Sequence, residues 1–98
     1  FTGRNISAAE AKEIGIVNKI TSPERLFEDS LELAKKIAEG PSFAHRMAKT
    51  LINSSDAMTL DQLMEQEALL QAQCIQTEDH INAVRSFFKK EKPVFEGK

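Results

Sequence analysis

The chain has 98 residues, 41% of them hydrophobic, with 13 basic against 15 acidic side chains and a formal charge of -2. One domain is the most this length supports, burying roughly 60–70% of the unfolded surface, so modest stability is expected. The charge balance excludes a whole-molecule field that would draw the chain to nucleic acid or anionic lipid, so any anion site must be local.

Cys74 is the only cysteine, which leaves a free thiol and fits a reducing compartment. No apolar run approaches the ~18 residues of a membrane span, and no basic, apolar, small-residue pattern within these residues marks a secretory signal, so any targeting segment is expected upstream. The opening "FTGRNISAAEAKEIGIVNKI" has the grammar of an interior stretch: an apolar entry, a capped helix, a Gly stop and an apolar exit. A preceding portion of structure is therefore expected.

In chain order, Ser7 to Glu10 has capping-box spacing, with the Ser7 hydroxyl accepting from the Glu10 amide and the carboxylate reaching back to the Ser7 amide. A short helix should run from Ala8 to a stop at Gly15, and "IVNKI" then reads as extended. Ser22-Pro23-Glu24 predicts a second helix start, followed by an apolar stripe of Leu26, Phe27, Leu31, Leu33, Ala34, Ile37 and Ala38. Glu24, Glu28 and Asp29 read as its solvated flank. "EGP" at positions 39–41 ends it, and Pro41 opens a third helix whose face carries Phe43, Ala44, Met47, Ala48, Leu51 and Ile52. After the polar turn "NSSD", the Thr59 to Gln62 capping box starts a fourth helix. Its apolar face is too wide for one neighbour, which predicts either a central place in a bundle or contact with another chain. Thr77 caps a fifth helix with Ile81, Val84 and Phe88 as its core stripe, and Pro93 limits its length. The fold class is all-α, with four to five short amphipathic helices: residues 1–21 form a linker with a capped helix, and residues 22–98 a helical domain.

Little here speaks for chemistry within the chain. His45, His80 and Cys74 share no ligand spacing, so no metal site is expected. Glu65 and Glu67 point to different helix faces and form no acid/base pair, and His80 reads as an exposed first-turn residue. No catalytic residue is assigned. The end of the fifth helix is more informative. Phe87 and Phe88 lie about 100° apart around the axis, so only one can enter the stripe. Phe88 takes it, leaving Phe87 displaced toward a partner, a ligand or water, beside Arg85, Lys89, Lys90 and Lys92. These cations either complement the negative helix end and keep the tail soluble, or form an anion pocket with an aromatic neighbour.

The residues themselves carry a resemblance. The opening stretch is similar to the crotonase, or enoyl-CoA hydratase/isomerase, pattern T-G-x-x-I-x-A-x-E-A-x-x-x-G-L-V-N-x-V, through Thr2, Gly3, Ile6, Ala8, Glu10, Ala11, Gly15, Val17 and Asn18. "KKIAEGPSFAHRMAKTLIN" resembles A-x-x-I-A-x-x-P-x-x-A-x-x-x-x-K of that family, and "TEDHINAVRSFFKKEKPVFEGK" its closing E-D-x-x-E-G-x-x-A-F-x-E-K-R-x-P-x-F-x-G. The resemblance implies a C-terminal helical region following a spiral core of ββα units that carries the catalytic acid/base residues and oxyanion-hole amides. It also implies an acyl-CoA substrate, with coenzyme A as part of the substrate and no separate cofactor. Assembly into a homo-oligomer, trimer or hexamer, in the cytoplasm or a mitochondrial matrix, belongs to the same implication. Phe87 matches the phenylalanine bordering the acyl or pantetheine tunnel, and Lys90 the lysine approaching the CoA phosphates. Asn82 and Ala83 replace the usual Glu-Gly, Lys89 stands where Glu is frequent and Glu91 where Arg is frequent; Lys92 is the candidate substitute for that arginine.

Two functions remain open at this point. One is the C-terminal oligomerisation and acyl-CoA-pocket segment of such an enzyme, inactive alone. The other is a non-catalytic helical interaction module.

Overall fold

The computed structural model describes residues 1–98 and contains five α-helices, two 3-10 turns and no strand. The helices are α1 (Ala8–Glu13), α2 (Leu26–Ala38), α3 (Ser42–Ser54), α4 (Leu60–Ile75) and α5 (Glu78–Lys89). The all-α expectation holds. The chain divides into two compact units, Phe1–Ala34 and Lys35–Lys98.

Within the first unit, α1 is short because both ends are capped tightly. The Glu10 amide donates to Ser7 Oγ at 3.2 Å, as capping-box spacing predicts. The reciprocal bond is not made, because the Glu10 carboxylate instead pairs with the Arg4 guanidinium, which holds its pKa below the usual range. At the other end Gly15 adopts φ 81, the Ile16 amide donates to the Ala11 carbonyl at 2.8 Å and the Gly15 amide to Lys12 at 3.2 Å. This double bond pattern is a Schellman ending. The expected extended stretch 16–20 is irregular rather than a strand, since its first two amides, Ile16 and Val17, are both spent on Ala11.

A 3-10 turn, Pro23–Arg25, leads directly into α2, and the Ser22 hydroxyl makes no capping bond. What holds the entry instead is Asp29. Its carboxylate accepts from Lys19 Nζ at 2.9 Å, Thr21 Oγ1 at 2.7 Å and Arg25 Nη2 at 2.9 Å. The reading of Asp29 as a solvated flank residue is thus corrected: at 8% exposure it is buried, and three donors fasten the α1–α2 connection onto it. The Lys19 and Thr21 hydrogen bonds, helped by the Arg25 charge, hold its pKa below the ordinary carboxylate value.

In the second unit, Pro41 is the N-cap of α3 rather than its first residue, and the turn after α3 is a 3-10 turn, Ser55–Ala57. The Thr59 capping box is complete, with Gln62 N–H on Thr59 Oγ1 and Thr59 N–H on Gln62 Oε1. Helices α3 and α4 pack through half-buried Met47, Leu51, Leu63, Leu70 and Cys74. The second side of the wide α4 face, including Leu60, Met64, Leu69 and Ile75, stays open.

The largest correction concerns α5. Ile81, Val84 and Phe88 were expected to form its core stripe, yet all three are exposed, Phe88 at 79%. The covered face is formed by Asp79, His80, Ala83 and Ser86, so His80 is half-buried rather than exposed. The covered face of α5 is thus small and polar, and its apolar stripe is outward. The stripe of α2 is open in the same way, with Leu26, Phe27, Leu31, Leu33 and Ile37 all exposed. Full burial of such side chains is worth roughly 1.5–3 kcal/mol each, so the two partly covered stripes together leave unused an amount comparable to the ~5–15 kcal/mol that stabilises a typical domain.

Candidate functional site

The site is built on the two ends of α5. At the N-terminus, the Thr77 hydroxyl accepts the His80 amide at 3.1 Å and donates to the Cys74 carbonyl at 2.7 Å. Because Thr77 serves as the cap, Asp79 is released from that duty. Its carboxylate, 3% exposed as a residue, accepts the Glu96 amide on Oδ1 at 2.7 Å and the Gly97 amide on Oδ2 at 2.9 Å. The Asp79 amide, one of the first-turn donors a helix leaves unpaired, donates to the Lys98 carbonyl at 3.0 Å. Gly97 suits this place because φ is +80, and a Cβ would lie 2.8 Å from Ser42 Oγ unless that hydroxyl turned aside.

At the other end, Lys90 occupies the left-handed region at φ 58, ψ 34 and is the only non-glycine residue with positive φ. The Lys90 amide donates to the Phe87 carbonyl at 3.1 Å and the Glu91 amide to Ser86 at 2.9 Å, a second Schellman ending with lysine where glycine is usual. For a lysine this conformation costs roughly 1–2 kcal/mol.

Phe87 is 78% exposed and meets Phe88 edge-to-face, with ring centroids 5.8 Å apart at 77°. Two of the residues singled out in the sequence, Phe87 and Lys90, therefore share the C-terminal turn of α5. The third, Lys92, is engaged elsewhere: its ammonium donates to Glu39 Oε2 at 2.8 Å, which lowers the Glu39 pKa. An exposed aromatic ring beside a cation that makes no ion pair within the chain suits a planar group joined to an anion. Between these ends, Pro41, Phe43, Cys74, His80, Ala83 and Phe95 help line an apolar cavity of about 230 Å³.

Asp29 and Asp79 are the buried, donor-bound side chains that sequence reasoning missed. A first-turn Asp behind an adequate Thr cap, with a glycine near the end of the tail, was the one available signal for Asp79. It is weak, because such aspartates are ordinarily explained by the helix dipole. No group of three or more His, Cys, Asp or Glu side chains lies close enough to hold a metal ion.

The sequence profile described as enoyl-CoA hydratase/isomerase matches residues 1–98. The chain belongs to the enoyl-CoA hydratase/isomerase family. Among its relatives is a short-chain-enoyl-CoA hydratase of Clostridium acetobutylicum, 35% identical over 92 residues, covering 94% of this chain and 35% of that protein. A 1,2-epoxyphenylacetyl-CoA isomerase of Escherichia coli is 31% identical over 96 residues, covering 98% and 37% respectively. The crystal structure of an enoyl-CoA hydratase from Bacillus anthracis superposes with a TM-score of 0.92 at 34% identity, over 99% of this chain and 38% of that one. The chain thus spans little more than a third of the length of these family members.

Proposed function

We propose that this chain is the C-terminal helical segment of an enzyme acting on acyl-CoA thioesters, and that the end of α5 borders the CoA-binding pocket. Lys90 carries the reading. A lysine in a turn where glycine would relieve backbone strain, next to an unpacked Phe87, supports a role for its charge. Phe87 lies against the acyl or pantetheine portion, Lys90 meets the CoA phosphates, and Lys92 joins it when released from Glu39.

The reaction of the whole enzyme is an addition or proton shift on an enoyl thioester, hydration first and isomerisation second, through an enolate-like intermediate held by backbone donors. Relatives named as a hydratase and as an isomerase match these residues at similar identity, which supports a choice of reaction made elsewhere in the enzyme. The segment alone is inactive in this reading: Asp29, Asp79, Glu10 and Glu39 are each engaged by donors within the chain. Coenzyme A enters as substrate, with no further cofactor, in the cytoplasm or a mitochondrial matrix. No helix is long and apolar enough to cross a membrane.

Oligomerisation is the companion role. The open stripes of α2, α4 and α5 support it, since each needs a cover that the chain does not provide. Titration of the chain with coenzyme A, followed residue by residue by NMR, tests the proposal. Shifts centred on Phe87 and Lys90 that fade as salt is raised uphold it. Self-association with no response to CoA would leave only the interaction module.

A further inference from the structure

The two ends of α5 are joined by the tail. From Asp79 to Lys90 the helix axis advances about 17 Å. An extended chain from Lys90 to Glu96 reaches at most about 22 Å. The strap formed by residues 91–96 therefore runs back along α5 with no length to spare for a helical turn of its own. It is fastened at its two ends, by the left-handed turn at Lys90 and by the Asp79 clasp, and the exposed Lys92–Glu39 ion pair between them adds little.

These fastenings depend on one another. With Lys90 in the right-handed region the chain would continue along the axis of α5 and carry Glu96 and Gly97 away from Asp79. The left-handed turn reverses it and delivers both amides to the carboxylate. A non-glycine residue stays in that region only where its surroundings over-determine it. Pro93 adds to this by disfavouring helical geometry at Lys92.

We propose that Asp79 is a positioning residue for Lys90, acting through the strap: the clasp at one end of α5 keeps the strained turn at the other end. The consequence for ligand rests on the acyl-CoA reading above, whereas the coupling between clasp and turn does not. Asp79 touches no substrate; it sets where the Lys90 backbone places its charge.

The test uses Asp79→Asn and, separately, deletion of residues 96–98, which leaves the sequence of α5 unchanged and removes the clasp from the tail side. Three quantities are read by NMR: amide exchange at Glu96 and Gly97 in Asp79→Asn, the Lys90 one-bond Hα–Cα coupling that reports the sign of φ, and the CoA-induced shifts at Phe87 and Lys90. Asp79→Asn should speed exchange of the two tail amides by roughly 10- to 100-fold. Both variants should move the Lys90 coupling away from its left-handed value and weaken the response to CoA several-fold. In a Lys90→Gly background, Asp79→Asn should leave the turn unmoved, because glycine holds it without help. A Lys90 coupling that stays left-handed in the deletion variant overturns the proposal, and that variant decides the matter should Asp79→Asn not fold. Coupling of clasp and turn with no CoA response in the unmodified chain would remove the acyl-CoA reading and leave the positioning role standing.

Discussion

The Lys92 ammonium lies 2.8 Å from the Glu39 carboxylate, tying the strap after α5 to the residue that follows α2. Both groups are largely exposed, so the pair contributes little to stability, but it occupies a cation that the acyl-CoA reading places near phosphate. Glu39→Gln should release Lys92 and tighten CoA binding by a few-fold at low ionic strength. Near molar salt, where the screening length shrinks to about 3 Å, the gain should vanish. Isothermal titration at two salt concentrations measures both; unchanged affinity at low salt would mean that Lys92 does not face the ligand.

Lys90 sets stability against binding. Lys90→Gly should raise stability by about 1 kcal/mol by relieving the left-handed lysine. That is roughly 4–8 °C in melting temperature for a chain of this size. The same change should lower CoA affinity. A variant that gains stability and keeps its affinity would refute a ligand role for this side chain.

Asp29 makes the first unit sensitive to acid. Its folded pKa lies below the unfolded value of about 3.9, so the folded form binds fewer protons and is favoured wherever the carboxylate is ionised. That contribution is complete above the unfolded pKa and is lost as pH falls through the lower folded value. Amide exchange across residues 19–25, followed from pH 6 down to pH 2, should show loosening only in the acidic part of that range. Asp29→Asn should be looser at pH 6 and nearly flat below it. Equal acid sensitivity in both proteins would assign the loosening to another group.

The outward stripes predict association. Phe27→Ser on α2 and Phe88→Ser on α5 each remove a ring that is 79% exposed, so helix content should not change. If these faces are covered in the assembled enzyme, each substitution loses roughly 1.5–3 kcal/mol of burial there, a 10- to 100-fold weaker association. Sedimentation equilibrium over a range of concentrations gives the constant. Association unaffected by both changes would place the contact on the open side of α4, around Leu60 and Met64.

The residues themselves dictated where helices begin and end. Ser7, Thr59 and Thr77 accept the amides their spacing predicts, and Gly15 supplies the left-handed turn that stops α1. Those rules act between residues at most about five apart, so they can be read along the chain. That Phe87 and Lys90 both fall at the end of α5 was legible for the same reason, since they are three residues apart.

Which face of each helix is covered depends on partners distant in sequence, and periodicity says nothing of them. Ile81, Val84 and Phe88 have the spacing of a core stripe, yet α5 packs through Asp79, His80, Ala83 and Ser86 because the tail returns over that side. The bonds responsible join residues 17 and 18 apart at the clasp and 53 apart at Lys92–Glu39. An aspartate looks the same in a sequence whether water or three protein donors surround it. Burial turned Asp29 and Asp79 from helix-flank charges into fastenings, since a carboxylate withdrawn from solvent must have its lone pairs met by donors that folding brings to it.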